Sequence, residues 1–112
     1  MPARTPEEAA QAQLDAYNAR DLEAFLACYT EDVEVFDLPG TEAKLQGREA
    51  MRPVYGRMFD ATPDLHCELV ARLCHDRFVI DQEYVTGRAE PVRAVATYEV
   101  IDGLIRRVWF LR

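Results

Sequence analysis

The chain has 112 residues, about half of them apolar, which sets the expectation of a single domain spanning 1–112 with its own core. A formal net charge of −7 speaks against a nucleic-acid ligand, which calls for a basic stripe, and against an anionic membrane surface. Five Tyr, five Phe and one Trp supply the bulk that a small core needs.

Thr5-Pro6-Glu7-Glu8 opens a helix: Thr5 caps, Pro6 suits the first position, and Glu8 completes a capping box. It runs to about Asn18, with Ala10, Gln13, Leu14 and Tyr17 along one stripe. Asn18-Ala19-Arg20 breaks it. Asp21 caps a second helix, Leu22 to about Tyr29, with Leu22, Phe25, Leu26 and Tyr29 inward. Glu31 to Gly40 reads as a strand entering a turn, with Val33, Val35 and Asp37 on one face. If that face looks inward, Asp37 is a lone acid at the mouth of an apolar space, which is costly without a partner or a task. The bland alternative is that it ties the Leu38-Pro39-Gly40 turn.

A polar connection follows to Gly47, and a third helix fits Arg48 to about Ala61, with Met51, Tyr55, Met58 and Phe59 on its apolar stripe. Beyond Pro63 the pattern is strand. Leu65, Cys67, Leu69, Ala71 and Leu73 share one face, and His75-Asp76 turns the chain. Val79, Asp81, Glu83 and Val85 alternate with Phe78, Ile80, Gln82 and Tyr84. Asp81 and Glu83 are expected on a solvated face or bridged to Arg93, ahead of any metal site. After the Thr86–Pro91 loop come Val92–Ile101, the hairpin turn Asp102-Gly103, and Leu104–Leu111. Apolar residues on both faces of these strands predict helices over one side and a second subunit over part of the other.

The three cysteines show no metal-ligand spacing, and Cys67 and Cys74, seven apart, face opposite ways within one strand. Buried free thiols in a reducing cytoplasm are expected, and the segment from Met1 lacks the apolar core of a signal peptide. His66 and His75 belong near strand ends at the surface.

Three segments carry a family resemblance: Asn18-Ala19-Arg20-Asp21-Leu22-Glu23-Ala24, Tyr29-Thr30-Glu31-Asp32-Val33-Glu34-Val35, and Gly47-Arg48-Glu49-Ala50-Met51. With the element order, they make the chain resemble the nuclear transport factor 2-like superfamily, and within it the SnoaL-like and ketosteroid-isomerase-like small proteins. The resemblance implies an α+β fold: a cone-shaped barrel of a strongly bent mixed or antiparallel sheet wrapped around three N-terminal helices. It implies an apolar pocket and a homodimer packed through the sheet.

By position, Asp37 falls where ketosteroid isomerase keeps its proton-shuttling aspartate, and Tyr55 on a pocket tyrosine. The oxyanion-binding tyrosine and protonated aspartate of that enzyme fall at about Gln13 and Thr97, weaker donors than the pair they replace. The expected site is Asp37 as base with Tyr55, and Gln13, Tyr17, Met58, Phe59, Thr97 and Trp109 around a small apolar molecule. The activity implied is a cofactor-free isomerase, dehydratase or cyclase acting on a small apolar carbonyl compound, without metal. The alternative is a non-catalytic domain that binds a small ligand or dimerises. A limonene-epoxide type of hydrolase needs an Asp-Arg-Asp set, for which the sequence offers no placement.

Overall fold

The computed structural model describes residues 2–112. Its elements are α1 (Pro6–Ala19), α2 (Leu22–Leu26), β1 (Tyr29–Asp37), β2 (Leu45–Gln46), α3 (Arg48–Ala61), β3 (His66–His75), β4 (Phe78–Thr86), β5 (Val92–Ile101) and β6 (Leu104–Leu111). The six strands form one sheet in the order β2-β1-β6-β5-β4-β3. β1 runs parallel to β6 and every other pair is antiparallel, so the sheet is mixed and unclosed. The three helices lie on its inner face, as the α+β expectation required.

Local signals explain most boundaries. Both halves of the Thr5–Glu8 capping box form, at 2.8 and 3.1 Å. α1 ends at Arg20 in the left-handed region (φ 53°). Asp21 caps α2 through the Ala24 amide. α2 stops at Leu26, short of the expected Tyr29. There the backbone is taken by the sheet: Cys28 accepts from the Ile105 amide at 2.9 Å, and Tyr29 aligns with Ile105. Gly47, at φ 88°, turns the short β2 into α3, a conformation that an L side chain resists.

Phe25 is the hub of the core. Its ring centroid lies 4.6 Å from Tyr55, 5.1 Å from Tyr29, 5.6 Å from Phe59 and 6.1 Å from Tyr17, so one side chain of the short α2 ties α1, α3 and β1 together. The clamp between α1 and β3 is polar. Asn18 donates from Nδ2 to the Cys67 carbonyl (3.0 Å) and accepts from the Cys67 amide (2.7 Å), while Arg20 donates to the Leu65 carbonyl (3.0 Å). The edge strand β3 is thereby bonded as if by one more strand.

The simple alternation expected along β3 fails at Val70. Leu69 aligns with Glu83 but Ala71 with Gln82, a bulge that shifts the faces by one residue. Leu73 moves to the outer face and is exposed, while Arg72 turns inward onto Asp81. Of the three free cysteines, Cys28 and Cys67 are buried and Cys74 is exposed. Both histidines are exposed.

Candidate active site

Two adjoining recesses open between the helices and the inner face of the sheet. The inner chamber, about 60 Å³, is bounded by Gln13 and Tyr17 of α1, Cys67 of β3, Glu83 of β4, Tyr98 of β5, and Arg88 in the β4–β5 loop. The outer recess, about 290 Å³, is bounded by Val35, Asp37, Lys44, Leu45 and Val54. Tyr55, Met58, Phe110 and Arg112 line both and form the partition. On the same measure one water needs about 10–15 Å³, so the inner chamber holds about four waters or a small fragment. Anything larger must lie across the partition.

Asp37 sits on the helix side of β1 with Val33 and Val35, as its alternation requires, but it is not enclosed. Its side chain is 31% exposed and doubly paired, with Lys44 Nζ at 2.8 Å and Arg112 Nη1 at 2.7 Å. The hydrogen bond from Lys44, reinforced by the charge of Arg112, holds its carboxyl below the ordinary range despite some desolvation. A carboxylate so stabilised is a poor proton acceptor near neutral pH.

The acid inside the chamber is Glu83. β4 is buried at Val79, Asp81, Glu83 and Val85, so the face expected to be solvated is the core face. The cause is physical: the two valines fix which side of the strand turns inward, and the carboxylates between them follow. Arg93 cannot bridge them, because it lies over the Tyr84 ring on the other side. Asp81 is 0% exposed and takes a bidentate pair from Arg72, at 2.7 and 2.9 Å. Arg72 also donates to Gln11 (2.9 Å), so the guanidinium joins one aspartate and an amide, not the two aspartates an epoxide-opening set needs. Glu83, 8% exposed, has no ion-pair partner among the described residues. Burial, and next the nearby Asp81 charge, push its carboxyl up to about 7, against the opposing pull of Cys67 and Tyr98 beside it.

Gln13 Oε1 accepts from the Tyr98 hydroxyl at 3.3 Å, which orients both side chains in the chamber. Tyr17 donates only to the thioether of Met58, at 3.7 Å, a weak partner that a carbonyl oxygen could replace. Tyr55 makes no hydrogen bond that bears on its acidity, and burial pushes its hydroxyl up to about 12. The structure thus brings Gln13, Tyr17, Tyr55 and Met58 together. Phe59 does not reach either recess; it packs on Phe25 and Tyr17 in the core. Thr97 and Trp109 lie on the opposite face of the sheet, where they align across β5 and β6 and Trp109 stacks on Phe36 at 5.8 Å. Ala96 and Tyr98 are the inward neighbours of Thr97. Glu83, Tyr98, Arg88 and Arg112 were not anticipated as site residues. For Glu83 the signal was present in its register with Val79 and Val85.

A family model described as a SnoaL-like domain matches residues 10–108. The chain belongs to the SnoaL-like family. Among solved structures, this SnoaL-like chain is similar to an uncharacterised cystatin-fold protein from Novosphingobium aromaticivorans, at 26% identity and TM-score 0.90, covering 98% of this chain and 100% of the other. A candidate ketosteroid isomerase from Kribbella flavida is 28% identical at TM-score 0.76, covering 95% of this chain and 76% of that one. A candidate polyketide cyclase from Sinorhizobium meliloti, 20% identical at TM-score 0.77 with 91% and 92% covered, shares the fold. None of the curated proteins matches the chain in sequence. No helix is long and apolar enough to cross a membrane among the described residues.

Proposed function

We propose that this SnoaL-like chain is a cofactor-free pocket enzyme that moves a proton next to the carbonyl of a small, largely apolar compound, in an isomerisation, dehydration or cyclisation. Glu83 is the proton carrier in this reading and Asp37 is not. One observation carries the choice: Glu83 is buried in the chamber and forms no ion pair among the described residues, whereas Asp37 is paired to two cations. A carboxyl that titrates near neutrality exists both as base and as acid at working pH, which suits a group that must take a proton and return it. The Tyr17 and Tyr55 hydroxyls are the donors for the oxygen on which charge develops. The likeness to a candidate isomerase and a candidate cyclase is consistent with this chemistry.

The test is deuterium uptake at the carbon next to the carbonyl of neutral methyl ketones in D₂O, followed by proton NMR. Wild type is expected to accelerate exchange. Glu83→Gln should reduce the rate by roughly 10²–10⁴-fold, the usual contribution of positioned proton transfer. Asp37→Asn should leave it within about tenfold. Loss of exchange in Asp37→Asn with retention in Glu83→Gln would restore Asp37 as the base.

Binding without turnover is the second reading. It is favoured by the raised hydroxyl of Tyr55, a weaker acid than an oxyanion donor should be, and by Tyr98, whose hydroxyl proton is already given to Gln13. Saturable ketone binding by wild type with no exchange would select it.

The partner proposed for the outer sheet face is a second copy of the chain. Phe36, Phe78 and Trp109 cluster there, with Leu73 and Leu111 exposed beside them.

A further inference from the structure

The chamber that holds Glu83 also carries two guanidinium groups with unequal commitments. Arg88 lines the inner chamber and forms no ion pair among the described residues. It is exposed while lining the chamber, which places it at the rim, and its charge opposes the rise that burial gives the Tyr17 hydroxyl. Its position is set by the residue before it. Gly87 has φ +84°, and a Cβ there would come within 2.0 Å of the Asp64 carbonyl oxygen, so the loop is pressed onto Asp64 and Leu65, just ahead of β3. Arg112 lines both recesses. It reaches Asp37 through one Nη1 hydrogen bond and lies over the Phe110 ring at 4.5 Å.

Asp37 does not depend on Arg112 alone. Lys44 holds its second oxygen at 2.8 Å. The guanidinium of Arg112 can therefore turn from Asp37 toward an incoming anion without leaving an unpaired carboxylate. Arg88 needs no release at all. In a chain of net charge −7, a free guanidinium at the mouth of a chamber of mixed polarity is a local reversal of sign. Carboxylates are the groups that guanidinium forks recognise in two-point fashion.

We propose that Arg88 and Arg112 form an anion clamp at the chamber mouth, and that the substrate is a small oxo acid whose carboxylate lies between them while its carbonyl end reaches Glu83. The clamp rests on the proposed function for the role of that carbonyl end, but not for the binding of the carboxylate. It leaves the inner wall to the uncharged part of the ligand. The small inner volume limits that part to a few atoms. A carboxylate displaced from this place would have to face Glu83 directly, and like charges in a buried site repel strongly. The geometry thus gives the ligand a direction: charge outward, carbonyl inward.

The test pairs 4-oxopentanoate and 4-oxohexanoate with their neutral primary amides, using isothermal titration on the wild-type chain. At least one acid should bind at least about tenfold tighter than its amide, a difference of about 1.4 kcal/mol. Arg88→Gln and Arg112→Gln should each shrink the preference, and the double variant should bring acid and amide to parity. Thermal melts confirm that the variants are folded, and the wild-type comparison needs no variant. Equal affinities for acid and amide, no binding of either acid, or a preference that survives the double variant would each overturn the clamp. Deuterium uptake into the bound acid separates the two proposals. A carboxylate preference without exchange keeps the clamp and rejects Glu83 as proton carrier. Exchange in neutral ketones with acid and amide bound equally does the reverse.

Discussion

Asp81 and Glu83 stand two residues apart on one face of β4 and meet different neighbours. Asp81 receives the fork of Arg72 as a bidentate ion pair. Glu83 receives none and keeps its proton to about 7. The sign of the consequence follows from proton counting. The unfolded chain gives up this proton near 4.5, the fold holds it to about 7, and between these values the folded state binds more protons. Stability therefore falls as pH rises through that window, by about 3 kcal/mol for this one group. Denaturant melts of Glu83→Gln should show it more stable than wild type above pH 7, with the advantage shrinking toward pH 4.5. A pH-independent difference would contradict the assignment. Asp37 behaves oppositely: its lowered value adds stability at neutral pH that is lost as pH falls below about 4. Arg72→Ala leaves Asp81 buried and unpaired, and should cost about 3–5 kcal/mol in the same melts. The alternation of β1 made the inward placement of Asp37 legible. Its pairing was not, since Arg112 lies 75 positions away in sequence and meets Asp37 only because β1 and β6 run side by side.

Helix starts were written in short-range chemistry. Thr5, Pro6 and Glu8 define the head of α1, and Asp21 that of α2, each through bonds within a turn. The end of α2 and the faces of β3 were not, because tertiary pairing decides them. A strand bulge carries no composition signal here: Val70 is a good strand residue, yet the faces change at it. That one-residue shift brings Arg72 to Asp81, and so leaves Glu83 as the unpaired acid of the chamber. The Asn18 clamp is also an element-scale device, holding β3 and Cys67 against α1. Asn18→Ala abandons a buried strand edge on both donor and acceptor sides, and should cost about 1–3 kcal/mol by chemical denaturation. A loss below about 0.5 kcal/mol would show that water replaces the amide.

At the scale of the molecule, the sheet divides two tasks. Its inner face holds the core and the chamber, and its outer face carries the Phe36–Trp109 stack with Phe78 beside it. The apolar residues found on both faces of β5 and β6 pointed to a covered outer surface before any coordinates. Thr97, drawn to the chamber by positional likeness, and Trp109, expected there as a lining aromatic, belong to that surface instead, since residues one step apart on a strand cannot share a face. Trp109→Arg should shift sedimentation from dimer to monomer while leaving ketone exchange detectable. A wild type that sediments as a monomer at high concentration would reject the pairing.

The proposed chemistry requires that one particular carboxyl in the recesses, that of Glu83, keep a proton near neutrality. Carbon-13 NMR titration of the side-chain carboxyl carbons in the folded chain reads this directly. The predicted result is a midpoint near 7 for Glu83 and one below the ordinary aspartate range for Asp37. A Glu83 midpoint in the ordinary range of 4 to 5, with Asp37 titrating near neutrality, would contradict it.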